Sequence, residues 1–165
     1  MDARPLLAEI GTLLHEVKLE AVLIGNAAAA LQGAPVTTVD FDFFFRDTSR
    51  NLAKLGTFAV HLDAVILRPY YPAADLYRVV REHDGLQIDF MATIHGVRSF
   101  EGVRDRATLI EIEGASLQVA SLADIIRSKK AARRPRDRAV LDILEQALEE
   151  ASRKKGKTAR RRPRK

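Results

Sequence analysis

The chain has no cysteine in its 165 residues. That excludes a disulfide scaffold, a cysteine nucleophile and a thiolate zinc site, and it fits a reducing, cytoplasmic setting. Long apolar runs are also missing: none approaches the ~20 residues needed to span a bilayer. The opening MDARPLLAEI sets one arginine and two acids in a helical pattern, without the basic-then-apolar layout of a signal peptide. His15, His61, His83 and His95 lie at no metal-ligand spacing, and the chain has neither a Gly-x-Ser-x-Gly elbow nor a Walker loop. The length suits one domain, whose core would bury roughly 68–70% of the unfolded surface.

Charge is unevenly spread. The formal net charge is +5, yet residues 151–165 carry nine Lys or Arg and no acid. The other 18 basic residues face all 22 acids within residues 1–150, a balance of −4. We therefore divide the chain into a mildly acidic domain, 1–150, and a basic tail, 151–165. Like charges repel and the tail has nothing to bury, so it is expected to be disordered. It is either a non-specific grip on RNA or another polyanion, through phosphate neutralisation, or a solubilising tail.

Periodicity sets out the elements. Leu6, Leu7, Ile10, Leu13, Leu14 and Val17 share a helical face. Ala21 to Ile24 reads as a buried strand ending at Gly25, and residues 26–32 as a helix closed by Gly33. Val39 to Phe45 reads as a second strand. Thr48 or Ser49 caps a helix to about Phe58, while residues 59–74, with Pro69 and Pro72, give no clear element. Leu76–Glu82 and Leu86–Met91 read as a hairpin. A short helix is expected around Phe100–Arg104, and a second hairpin joins Thr108–Glu113 to Ser116–Val119. Ser121 caps a helix to about Arg133, with Asp124 in the capping-box position. Pro135 opens the last helix, with Val140, Leu141, Leu144, Ala147 and Leu148 inward. Strands and helices mix without strict alternation, which argues an α+β fold.

The candidate chemistry begins at Asp40-Phe41-Asp42-Phe43-Phe44-Phe45. Side chains alternate on a strand, so Asp40 and Asp42 share one face and Phe41, Phe43 and Phe45 the other. About 6.5–7 Å of strand separates the acids, within reach of one divalent cation that would relieve their repulsion. The plainer alternative is a wet strand face, although aspartate is disfavoured in strands. Asp89, between Ile88 and Phe90 on another expected strand, would add a third carboxylate if the strands are neighbours; otherwise it is a lone acid at a strand edge. Three oxygen donors suit Mg²⁺ or Mn²⁺.

Two further elements suit phosphate. Gly25-Asn26 joins a strand to a helix, where unpaired N–H groups favour an anion, although a simple tight turn explains it equally. Lys129 lies three, four and seven residues beyond Ile126, Ile125 and Leu122, at the centre of an apolar stripe. It is either directed toward a triphosphate or snorkelling at a helix end. Arg133, Arg134, Arg136 and Arg138 cluster around Pro135. Asp137 among them is either a first-turn charge or the partner that orients Lys129 or Arg134.

Together these residues resemble the nucleotidyltransferase superfamily of polymerase-β-like folds. The signature there is a glycine followed by Gly or Ser, a spacer, then Asp-x-Asp. Here Gly25-Asn26, thirteen residues and Asp40-Phe41-Asp42 take those places. LIGNAAAALQGAPVTTVDFDFFF is similar to the minimal prokaryotic branch that includes AbiEii-type toxins. Ser121 to Lys129, with Arg134-Pro135-Arg136-Asp137, is similar to that branch's lysine helix and Arg-Pro-x-Asp turn. The resemblance covers about residues 5–150. Asn26 replaces the usual second small residue, and Val36 stands where relatives often have arginine.

The resemblance implies a mixed sheet with helices packed on one side, plus C-terminal helices. It implies Asp40 and Asp42 as Mg²⁺ ligands, with Asp89 as third carboxylate and candidate general base. Gly25 and Asn26 would touch the phosphates of a nucleoside triphosphate, and Lys129, with Arg134 and Asp137 beside it, the nucleotide tail. The implied activity moves a nucleoside monophosphate to a hydroxyl of RNA, such as tRNA, or of protein, in a toxin paired with an antitoxin protein. The alternative is an inactive relative that binds nucleotide or RNA.

Overall fold

The computed structural model describes residues 3–38, 40–69 and 75–160. The N-terminal apolar stripe forms α1 (Arg4–Val17). β1 (Ala21–Ile24) leads directly into α2 (Gly25–Leu31). β2 (Phe41–Phe45) starts one residue after Asp40, and Val39, where the sequence placed the strand's beginning, lies outside the described residues. α3 (Ser49–His61) is capped by Thr48, whose hydroxyl accepts from the Asn51 N–H at 3.1 Å. The stretch without a clear element contains β3 (Val65–Leu67), a three-residue edge strand. The two hairpins are β4 (Leu76–Arg81) with β5 (Leu86–Met91), and β6 (Thr108–Ile112) with β7 (Ala115–Val119). Between them lies α4 (Phe100–Arg106), and α5 (Leu122–Ala132) and α6 (Pro135–Arg160) close the chain.

The strands form one mixed seven-stranded sheet in the order β3-β4-β5-β2-β1-β7-β6. Register and alternation decide which side chains share a face. Leu23 pairs with Phe43 and Val119, and Phe43 pairs with Phe90, so these four face one way. α1 and α3 cover that face. Gly11 of α1 lies so close to Leu117 that a Cβ there would be 3.2 Å from Leu117 Cγ. Phe58 of α3 meets Phe90 edge-on at 5.5 Å between centroids, and Phe90 stacks on Phe43 at 5.3 Å. Phe43, Phe45, Phe58 and Phe90 are fully buried, and each such ring contributes roughly 150–250 Å² of buried surface. Asp42 therefore points to the opposite face, along with Phe44, which packs on Phe100 of α4.

Buried polar residues tie the elements together. Asn51, 1% exposed, accepts from the Glu20 N–H and donates to the Glu20 and Arg46 carbonyls, so its amide is satisfied at the edge of β1 and β2. Ser121 caps α5 as expected, accepting from the Asp124 N–H at 3.1 Å. The buried Asp124 carboxylate does not complete a reciprocal capping box. It accepts instead from the Ser121 hydroxyl at 3.0 Å, from Arg106, twice at 2.9 Å, and from Arg127 at 2.7 Å, and the Arg106 bonds fasten α4 to α5.

The tail departs from its expected disorder. α6 crosses residue 150 without a break and runs through residues 151–160, while 161–165 lie outside the described residues. The physical reason is cooperativity: Lys and Arg are good helix formers, and a helix already nucleated on Leu144 adds residues without a new nucleus. Arg153 and Glu149, one turn apart at 3.7 Å, add a weak pair. Among the described residues, no helix is long and apolar enough to cross a membrane.

Candidate active site

The sheet places the site by register. On the face away from α1 and α3, a row crosses five strands: Ile24, Asp42, Asp89, Arg78 and Leu67. β2 and β5 are parallel neighbours, so Asp42 and Asp89 come from distant parts of the chain to lie side by side. Asp40 stands two residues before Asp42, just outside the strand and exposed. Its N–H donates to the Thr38 hydroxyl at 3.1 Å, and that hydroxyl donates to its carbonyl at 3.0 Å.

Gly25 sits where β1 becomes α2, at φ +71°. A Cβ built there would be 2.9 Å from Asp42 Oδ2. Both the left-handed backbone and the close approach of the carboxylate therefore need glycine. Asn26, next in α2, has a buried Oδ1 with no hydrogen-bond partner among the described residues. A buried, unpaired oxygen is a costly arrangement unless a ligand donates a hydrogen bond to it or it coordinates a cation.

Electrostatics single out Asp42. Its carboxyl is pushed up to about 6, first by burial and then by the charges of Asp89 and Asp40, against the opposing pull of Lys129 and Arg136. A divalent cation would relieve that excess of negative charge, and oxygen-only donors suit Mg²⁺, which is held by one or two carboxylates together with waters and phosphate oxygens. Asp42, with the exposed Asp40 two residues before it, offers oxygen donors of the kind such an ion takes. Asp89, beside Asp42 in register, is held by another partner. Among the described residues, no group of three His, Asp or Glu side chains is placed to hold a metal. Asp89 accepts from Arg78 Nε and Nη2, each at 2.8 Å, through both of its oxygens.

Lys129 and Asp137 meet as the sharper sequence reading expected. Lys129 Nζ donates to Asp137 Oδ1 at 3.1 Å, and Arg134 Nε to Oδ2 at 2.5 Å. The Asp137 side chain is 2% exposed and that of Lys129 12%. Burial works to raise the Asp137 carboxyl, but the hydrogen bonds from Arg134 and Lys129 outweigh it and hold the group below its ordinary value. Asp137 thus fixes the last turn of α5 to the first turn of α6, with the Lys129 ammonium close enough to Asp42 to act on its charge. Val36 is half-buried against the core. Two clefts, of about 500 and 360 Å³, follow the segment 92–102 and include none of the expected site residues.

Sequence reasoning overlooked Arg78 and left Arg136 as one of a cluster. Arg78 was open to discovery: a tight turn at 82–85 pairs residue 81 with 86 and hence 78 with 89.

The site is a row of carboxylates on a sheet beside a strand–glycine–helix junction, in a fold shared with solved structures. The chain resembles TM1012 of Thermotoga maritima, a protein assigned as a nucleotidyltransferase, with TM-score 0.57 and 18% identity over 88% of this chain and 92% of that one. It resembles the antibiotic-resistance factor ANT(2'')-Ia, with TM-score 0.59 and 14% identity over 92% of this chain and 86% of that one. It also resembles the lincosamide antibiotic adenylyltransferase LnuA, solved with lincomycin, with TM-score 0.57 and 13% identity over 82% and 92%. A search of curated proteins returns no match. The chain belongs to the family described as nucleotidyl transferase of unknown function (DUF2204), which it matches over residues 3–164.

Proposed function

We propose that the chain transfers a nucleoside monophosphate from a nucleoside triphosphate to a hydroxyl of RNA, with Mg²⁺ or Mn²⁺ held by Asp40 and Asp42. The observation that carries this reading is the approach of Asp42 to Gly25, which brings the carboxylate we assign to the metal against the start of α2. When bound, the metal would supply charge neutralisation at the phosphates. Gly25 leaves room for the Asp42 carboxylate against the backbone, and Asn26 offers a side-chain amide beside it for a phosphate. Lys129, held by Asp137, supplies a fixed ammonium toward the phosphate tail.

In the reaction, the acceptor oxygen forms a bond to the α-phosphorus as the bond to pyrophosphate breaks. Pyrophosphate leaves with the electron pair of that bond. The hydroxyl proton passes to a carboxylate, a role we give to Asp89 once an oxygen is released from Arg78. Catalysis is then positioning and charge stabilisation rather than covalent chemistry. The basic residues 151–160, exposed along α6 through Lys157, support RNA as acceptor. An antitoxin partner and a toxin role rest on the resemblance alone.

The test is label transfer. The full chain with α-³²P nucleoside triphosphates, Mg²⁺ or Mn²⁺ and total RNA should yield labelled RNA. Asp40→Asn with Asp42→Asn should reduce labelling at least a hundredfold. Equal labelling by that variant would refute the reading.

A further inference from the structure

The acid expected as a third metal ligand already has a cation. Arg78 donates through Nε and Nη2 to the two oxygens of Asp89, the parallel fork that a planar guanidinium makes and an ammonium cannot. The two residues are cross-strand partners in the β4–β5 ladder, so backbone pairing holds the fork in register. The Asp89 side chain is 14% exposed and that of Arg78 32%. Separating such a pair leaves a partly desolvated charge on each side. Asp42 and Asp40, by contrast, form no ion pair among the described residues.

Asp89 lies between Asp42 and Arg78 in the row. A divalent ion shared by Asp42 and Asp89 would compete with the guanidinium for the same oxygens and would meet its positive charge across one or two strand spacings, roughly 5–10 Å.

We infer that Arg78 is a positioning residue that keeps Asp89 out of the resting metal centre, leaving a two-carboxylate site made by Asp40 and Asp42. The inference rests on the function proposed above, but it concerns which residues hold the ion before substrates arrive. Release of Asp89 is then a separate event, needed before it can take a ligand or a proton.

The test is Mn²⁺ binding to the full chain without nucleotide, read from the electron paramagnetic resonance signal of free Mn²⁺. Asp89→Asn leaves the Arg78 charge uncompensated and should lower the Mn²⁺ affinity, but by less than tenfold. Arg78→Ala should raise it tenfold or more, and Arg78→Ala with Asp89→Asn should return it to the starting value. Arg78→Lys, which keeps the charge and loses the fork, should give an intermediate gain. A tenfold loss that persists in Arg78→Ala with Asp89→Asn overturns the inference, since Asp89 would then already be a ligand. An unchanged affinity in both Arg78 variants also overturns it. The underlying reading is checked separately by Asp40→Asn with Asp42→Asn: Mn²⁺ binding that survives this change defeats the proposed site, whatever Asp89 does.

Discussion

Asp42 is the residue on which charge, packing and chemistry meet. Its carboxyl is raised from 3.8 to about 6, chiefly by burial. The folded chain therefore binds this proton more tightly than the unfolded chain does. Stability falls as pH rises from about 4 through about 6 and stays lower above that. A shift of this size corresponds to on the order of 2–3 kcal/mol. Asp42→Asn should accordingly be more stable than the starting protein at pH 7.5, by about 2 kcal/mol, with no gain at pH 4, as measured by urea unfolding at the two values. A variant that loses transfer while gaining stability is the mark of a group kept for its chemistry. Equal stability of the two proteins at both pH values would remove the electrostatic account of this site.

At the scale of elements, strands and hairpins were legible where the signal is local. The alternation of Phe41, Phe43 and Phe45 marks a strand with one packed face, and that face meets α3 through Phe90. Lys129, on the inward stripe of α5, meets the buried Asp137, which the sequence offered as a partner for Lys129 or Arg134. The adjacency of Asp42 and Asp89 was not legible, because parallel pairing of β2 with β5 depends on the order of strands in the sheet. That order is set by the packing of both faces and has no local code. β3 escaped notice for a different reason: it has three residues, two of them about half exposed, too few to show a period. The α5–α6 corner carries its own prediction. Asp137→Asn leaves Lys129 and Arg134 without their shared charge and should cost about 1.5–3 kcal/mol at neutral pH, by chemical denaturation. Since the Asp137 carboxyl is held below its ordinary value, this contribution is full above about pH 4 and is lost as pH falls through the lowered value. The same variant should raise KM for the triphosphate more than it lowers kcat, because Lys129 loses its orientation.

For the whole molecule the main fact is the separation of charge. The acidic balance of residues 1–150 accompanies the sheet and its carboxylates, and the basic end runs out along α6. Inward contacts of α6 reach Leu148, and beyond it the helix exposes most of its side chains. Removal of residues 151–165 should therefore leave the thermal midpoint within about 3 °C, while it weakens RNA affinity and flattens the salt dependence of what binding remains. Composition showed where the charge lies but could not show that a helix carries it, since an isolated basic segment and a continued helix share the same sequence. The central claim is that Asp40 and Asp42 bind a nucleoside triphosphate through a divalent metal. Calorimetric titration with a non-hydrolysable triphosphate, with and without Mg²⁺, tests it most directly. The account predicts binding that needs Mg²⁺ and vanishes in Asp40→Asn with Asp42→Asn; binding of equal strength without the metal, unchanged in that variant, would contradict it.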